Sequence, residues 1–329
     1  MSAITLPSRS AGASTVRQEG ERLLIFSRKG FDSSFGGRPS PQLPDGRLVS
    51  MPIPEPGSPI TYGNSMVQPG LSYADLLGQL GICSLTKPSG GRLARLPVAA
   101  DLGAHLDPDL RASSRPRPRG WRPLFGQSEA AQRHLSHQGV GPGDIFVFFG
   151  WFRDAEDYYG QYRYARPHLP AGMAAVPCPD YQAIWGWMEI GEVLPAVEFA
   201  ERYPWAAGEH PHLIASLAGN NPWANTIYMA AQRFSQDPRL PGAGTMHCND
   251  STRLTAPDAP SRRWWSLPEY FHPAHTSRRM TYQPLSAWSP PAGGPVTLRS
   301  ACIGQEFVVP MNDEIIAWLT GLIESAQLW

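Results

Sequence analysis

Lysine is nearly missing from this chain. Of its 28 basic residues only Lys29 and Lys87 are lysines, the rest being arginine. Arginine does not deprotonate, whereas lysine can shift its pKa and act as base or nucleophile, so a lysine kept in the opening loop is a candidate for chemistry. Net charge is missing too: 28 basic residues meet 28 acidic ones, and no overall field draws the chain to nucleic acid or membrane. The four cysteines, Cys83, Cys178, Cys248 and Cys302, are far apart and form no CxxC pair. That argues against a zinc site or a dense disulfide framework and for reduced thiols in a cytoplasmic protein. No apolar run approaches the roughly 20 residues of a membrane span. The first 20 residues lack the apolar core of a signal peptide, so residues 1–20 read as a flexible leader and 21–329 as one domain. Repeats, heptads and the Walker, Rossmann and GxSxG patterns are also absent. The 35 prolines and 32 glycines imply many turns between short elements.

What is present begins at Leu24–Pro52, LIFSRKGFDSSFGGRPSPQLPDGRLVSMP. A short buried strand, Leu23–Phe26, runs into a polar loop holding Lys29, Asp32, Ser33, Gly36, Gly37, Arg38 and Ser40, and a second strand is expected over Leu48–Ile53. Lys29 and Asp32 stand three apart in a tight loop, close enough to pair. The carboxylate would hold Lys29 charged for a phosphate or oxyanion, whereas desolvation would free it as a base or nucleophile. The amides around Gly36 and Gly37 could cradle a phosphate. On this reading Lys29→Ala or Asp32→Ala abolishes activity and leaves thermal stability nearly unchanged.

Further along, His105, Asp107, Asp109 and Arg111 crowd seven residues. In an extended chain Asp107 and Asp109 point to one side, which suits a general base or a divalent metal. The run Arg115–Arg122, RPRPRGWR, offers phosphate attraction beside a stacking surface. A helix over Ser128–Gln138 gathers Gln127, Gln132, His134 and His137, which could read base edges or move protons. His210-Pro-His212 could share a metal, yet no third ligand lies nearby in sequence, so no metal set is complete and the cofactor is left unknown. His212 or His134 could relay protons.

Other stretches set the frame. Ser72–Gly81 reads as a capped helix, and Arg92–Ala100 is apolar enough to enter a core. Strands are expected at Ile145–Phe152, Tyr181–Leu194 with bulges at Gly186 and Gly191, Asn225–Ala231 and Gly304–Pro310. Arg262–Phe271 reads as an aromatic cluster on the core. Short helices are expected at Val197–Tyr203 and, as an amphipathic terminal element, Asn312–Leu328. The Ile145 and Tyr181 runs together resemble the β-barrels of PUA and EVE type. The fold class is therefore α+β: a single domain with a strongly bent, mainly antiparallel sheet, PUA/EVE-like in those two runs, and a few short helices.

Taken in order, SRKGFDSSFGGRPSPQLPDGRLVSMPIPE, HLDPDLR, FGQSEAAQRHL, GVGPGDIFVFFGWFR, WGWMEIGEV, HPH, NTIYMA and GQEFVV resemble the third nucleotide-modification-associated domain family from about residue 23 onward. Arg262–Phe271 and the stretch after it depart from the family pattern, so no role is carried onto His272 or His275. The resemblance implies work beside DNA base-modification enzymes of phages and bacteria. It marks Lys29, Asp32, Ser33, Gly36, Ser40, Asp107, Asp109, Arg111, Gln127, Gln132, His134, Arg153, His212, Asn225 and Tyr228. Three functions are then expected in order: an enzyme acting on a nucleotide or modified base, a non-catalytic reader of flipped bases walled by Trp121, Trp151, Trp185 and Trp187, or a scaffold subunit with protein partners. The partner is a nucleotide or nucleic acid, DNA before RNA, and not a membrane.

Overall fold

Two apolar runs in the middle of the chain form its longest strands, and everything else is placed against them. The computed structural model describes residues 17, 20–166, 179–214, 225–302 and 304–326. Ile145–Tyr158 and Asp180–Pro195 pair antiparallel at the centre of the main sheet. Leu23–Arg28 lies parallel to the first of them, and Glu306–Pro310 closes that side antiparallel. On the other side come Asn225–Ala230 and then the edge strand Leu124–Ser128, both antiparallel. Ladder slips fall at Phe148/Phe149, opposite Gly186, and at Ile190/Glu192, around Gly191, as the two glycines implied.

Strand alternation divides the core. Leu24, Phe26, Val147, Phe149, Phe307 and Val309 face one side, where Trp265, Phe271 and the terminal helix Asp313–Ala326 cover them. Leu23, Ile25, Phe146, Phe148 and Val308 face the other, packed on Phe125 and Tyr228. The sheet does not close by backbone pairing, but it bends until its edge strands meet at one end: Gln127 Nε2 donates to Glu306 Oε1 at 2.6 Å. The helix Glu129–Gln138 touches both edges, stopped by Gly139 in left-handed backbone at φ 71°. A separate small core gathers Phe31, Met51, Tyr62 and Leu85 beside the helix Tyr73–Gln79. The chain is thus a single α+β domain with a bent, mainly antiparallel sheet that stays open.

Two local expectations fail. Leu48–Ile53 makes only isolated pairing, at Leu48 with Gln42 and in the two-residue strand Ile53–Pro54, because Pro52 and Pro54 lack amide donors. Arg92–Pro97 does not enter a core but forms a surface hairpin with Ser84–Ser89, where Leu93 is 56% exposed. Arg17, in the expected leader, is anchored by both oxygens of Asp144 at 2.8 and 2.9 Å; residues 1–16 and 18–19 lie outside the described set, as does Cys178. Cys83, Cys248 and Cys302 are free thiols. Among the described residues no helix is long and apolar enough to cross a membrane.

Candidate functional site

Where the two sheet edges meet, strand ends and three loops enclose a cavity of about 720 Å³. Lys29 reaches it from the end of the first strand, Glu306 from the start of the last, Gln127 and Asn225 from adjoining ends of the far edge pair. His105 comes from the two-residue strand Ala104–His105, Asp107 from the loop beyond it, and His212 from the 3₁₀ turn Pro211–Leu213.

Asp107 is the centre of a histidine cluster. Its Oδ1 accepts from Gly126 N at 2.9 Å and faces His210 Nε2 at 3.0 Å. Its Oδ2 lies 3.7 Å from Nε2 of both His105 and His212. His105, Asp107 and His212 each offer one ligand atom, and these three atoms lie within 4.8 Å of one another. Each ring is held from behind. His105 Nδ1 bonds the Glu55 carboxylate. His212 Nδ1 meets Asn225 Oδ1 at 2.6 Å, while the Asn225 amide donates to the His212 carbonyl at 2.9 Å. That second bond fixes the amide orientation, so Nδ1 carries the proton and Nε2 presents a lone pair. His210 Nδ1 receives the His212 amide, at 3.4 Å, which leaves Nε2–H to donate to Asp107. Gly126 is required here: a Cβ would fall 2.4 Å from the His212 ring.

The environments push the two imidazoles apart. Burial works against a charge on His105, yet the flanking carboxylates of Asp107 and Glu55 push it up to about 9. Burial pushes His212 down to about 4, despite Asp107 beside it. Burial also penalises the Asp107 carboxylate, but the surrounding histidines hold it well below the usual range. Chemically the cluster offers an acid and a base sharing one carboxylate, or, once His105 gives up its Nε2 proton, three lone pairs converging on one point. The cavity lining carries five carboxylates (Asp32, Glu55, Asp107, Glu129, Glu306) against two fixed cations (Arg28, Lys29), so its charge is negative even when His105 carries a proton.

Across the cavity, Lys29 Nζ bonds Glu306 Oε1 at 3.1 Å and stands 4.5 Å from the centre of the Phe125 ring. Glu306 Oε2 has no hydrogen-bond partner among the described residues. His134 Nε2 lies 3.2 Å from Thr281 Oγ1 and its ring packs on Tyr282, at the same cavity wall.

The expected site residues divide. Lys29, Asp32, Asp107, Gln127, His134, His212 and Asn225 line the one cavity. The expected Lys29–Asp32 pair is not formed, because Lys29 is taken by Glu306 and Asp32 Oδ1 caps a turn at the amides of Ser34 and Phe35, both 2.7 Å. Asp109 does not join Asp107 as a metal or base pair: both its oxygens hold Arg117, at 2.5 and 2.6 Å. Gly36 and Gly37 cannot cradle a phosphate, since their amides donate to the carbonyls of Thr86 and Asp32. Ser33 and Arg38 are exposed outside the cavity, and Ser40 accepts from the Met51 amide in the interior. Arg111 binds the carbonyls of Met66 and Val67, Arg153 binds Asp180, and the Tyr228 hydroxyl donates to Gln132, which draws all three, and Gln132, into structural roles. In the basic run Arg115 holds Glu209, Arg117 holds Asp109 and Arg122 reaches the Ala230 carbonyl, so little of it is free for phosphate. The tryptophans build no wall: Trp187 lies in the core at 0% exposure and Trp151 stacks with Arg262.

Sequence reasoning missed Glu306 and Glu55, and it gave His105 no role of its own. A glutamate opening a fully buried strand, as in GQEFVV, is the signal that points to Glu306. No curated protein and no solved structure matches the chain. A family model does match, across residues 23–310. That span contains the whole sheet and every cavity residue named above, and by it the chain belongs to the nucleotide modification associated domain 3 family.

Proposed function

We propose that this chain is an enzyme of a nucleotide-modification system, that its substrate is a nucleotide or a single base extruded from DNA, and that the 720 Å³ cavity is its active site. The observation carrying this reading is the arrival of His105, Asp107, His212, Lys29 and Glu306 from four separate stretches of chain at one hollow. A volume of this size suits one nucleotide and not a duplex, which agrees with chemistry done on a flipped base or a free nucleotide. The first turn of the helix Glu129–Gln138 lines the cavity without a side-chain cap, and its amides suit a phosphate. His105, Asp107 and His212 form the reacting centre. A reader function would need an aromatic wall, and the tryptophans that could have built one are used elsewhere.

The test is nucleoside mass spectrometry on DNA bearing modified bases and on a nucleotide extract, each incubated with purified protein. The wild type should change the abundance of at least one nucleoside, and Asp107→Asn and His212→Gln should lower that change at least tenfold. Unchanged profiles in both substrate pools would overturn the reading.

A further inference from the structure

We infer that His105 Nε2, Asp107 Oδ2 and His212 Nε2 bind one divalent transition-metal ion, in a site open to the cavity. The inference deepens the proposed function and rests on it for its chemical purpose, though not for the binding itself.

The first argument is direction. Every other polar atom of the three side chains is engaged on the side away from the common point: Nδ1 of His105 by Glu55, Nδ1 of His212 by Asn225, and Oδ1 of Asp107 by Gly126 and His210. A neutral histidine whose Nδ1–H is held by a carboxylate or a carbonyl presents the Nε2 lone pair a metal needs, and such outer partners accompany metal-binding histidines almost always. The second argument is spacing. At 3.7 Å, Asp107 Oδ2 is too far from either Nε2 for a hydrogen bond. Ligand atoms about 2.0–2.2 Å from one ion at tetrahedral or octahedral angles stand about 3.0–3.5 Å apart, so the ion is seated when the gaps to Asp107 shorten slightly and the two imidazoles close in from within 4.8 Å. The third argument is charge: the net negative charge around the cavity is offset by a dication and worsened by a substrate phosphate arriving alone.

The donor set selects the ion. Two imidazoles and one carboxylate suit zinc, iron(II), cobalt(II) or manganese(II), whereas magnesium and calcium prefer oxygen alone. Three protein ligands leave positions free on the cavity side for water or a substrate oxygen, the pattern of a catalytic and not a structural site. His210 is a positioning residue. It touches Asp107 Oδ1 and steers the other oxygen, so the His-Pro-His motif contributes one ligand and one orienting group.

The experiment titrates chelator-stripped, full-length protein with zinc, cobalt(II), manganese(II) and, without oxygen, iron(II), by calorimetry and by the cobalt visible spectrum. One ion per chain should bind, and X-ray absorption of the cobalt-loaded wild type should read two imidazole ligands, a measurement that needs no variant to fold. His105→Gln and His212→Gln should lose binding. Asn225→Ala should weaken it 10- to 100-fold, with recovery in Asn225→Asp, which still accepts from Nδ1–H. Wild type that binds none of the four ions, or binding of equal strength in His212→Gln, would overturn the site. Nucleoside conversion that survives complete chelation would overturn the ion's part in the reaction and leave the proposed function standing. A bound ion with no conversion would do the reverse.

Discussion

At the scale of single residues, the cavity owes its character to how each imidazole is surrounded. His134 shows this apart from the Asp107 cluster. Burial lowers its pKa, His137 adds to the lowering, and Glu306 opposes it, while Tyr282 and Thr281 supply contacts without charge. A histidine whose pKa is lower folded than unfolded binds fewer protons when folded. Its contribution to stability is therefore complete above the unfolded value of 6.5 and declines as pH falls from there to the folded value. Urea midpoints taken at about pH 7.5 and about pH 5 should fall further for the wild type than for His134→Gln. Equal falls would mean that His134 is not desolvated. Residue identity told part of this in advance. Lys29, Asp107, Gln127, His134, His212 and Asn225 were legible because rare or reactive side chains stood in polar loops or at element ends. Glu55 was not, and His210 was read as a metal ligand instead of an orienting group, because each holds another side chain whose position is about 50 residues away for Glu55 and about 100 for His210.

At the scale of elements, local chemistry was readable wherever it was self-contained. Ser72 and Asp75 form a reciprocal capping box on the helix Tyr73–Gln79, and Asn312 caps the terminal helix through the Ile315 amide at 2.8 Å. Arg92–Pro97 was misread because an apolar composition does not say whether an opposing layer exists to cover it. Two glycines make the contrast testable with opposite signs. At Gly191 a Cβ would lie 2.8–3.0 Å from backbone atoms of Ala230 and Ala231, which cannot move without parting two paired strands. Gly191→Ala should cost about 1–3 kcal/mol. Gly78, within the Tyr73–Gln79 helix, has nothing within 4 Å of the same position and no left-handed backbone. Gly78→Ala should stabilise by about 0.5–1 kcal/mol, since alanine loses less backbone entropy in a helix. Denaturant unfolding of the two variants reads both signs, and a neutral Gly191→Ala would mean that the bulge can yield.

At the scale of the whole molecule, the open sheet is drawn together by a clasp of three side chains, and the cavity exists because of it. Lys29 follows the first strand, which pairs directly with the edge strand that Glu306 opens, and Gln127 stands next to the end of the other edge, so Lys29 fixes the Glu306 carboxylate and Gln127, bonded to the same Oε1, joins two edges that share no backbone ladder. This geometry predicts the opposite of the expectation that Lys29→Ala spares stability. The side chains of Lys29 and Glu306 are 10% and 1% exposed, so removing the ammonium leaves a buried carboxylate with one amide donor. Breaking such a pair from one side typically costs about 3–5 kcal/mol, whereas replacing both partners with neutral groups of similar size is often close to neutral. Lys29→Met alone should therefore lower the urea midpoint strongly, and Lys29→Met with Glu306→Gln should recover most of the loss. Hydrogen exchange on the single variant should quicken at residues 124–128 and 306–310, the two edges, before the central strands 145–158 and 180–195 respond. If the single and double variants are equally unstable, Lys29 holds its place through the Phe125 ring and not through Glu306, and the edges are kept together by the helix Glu129–Gln138 instead.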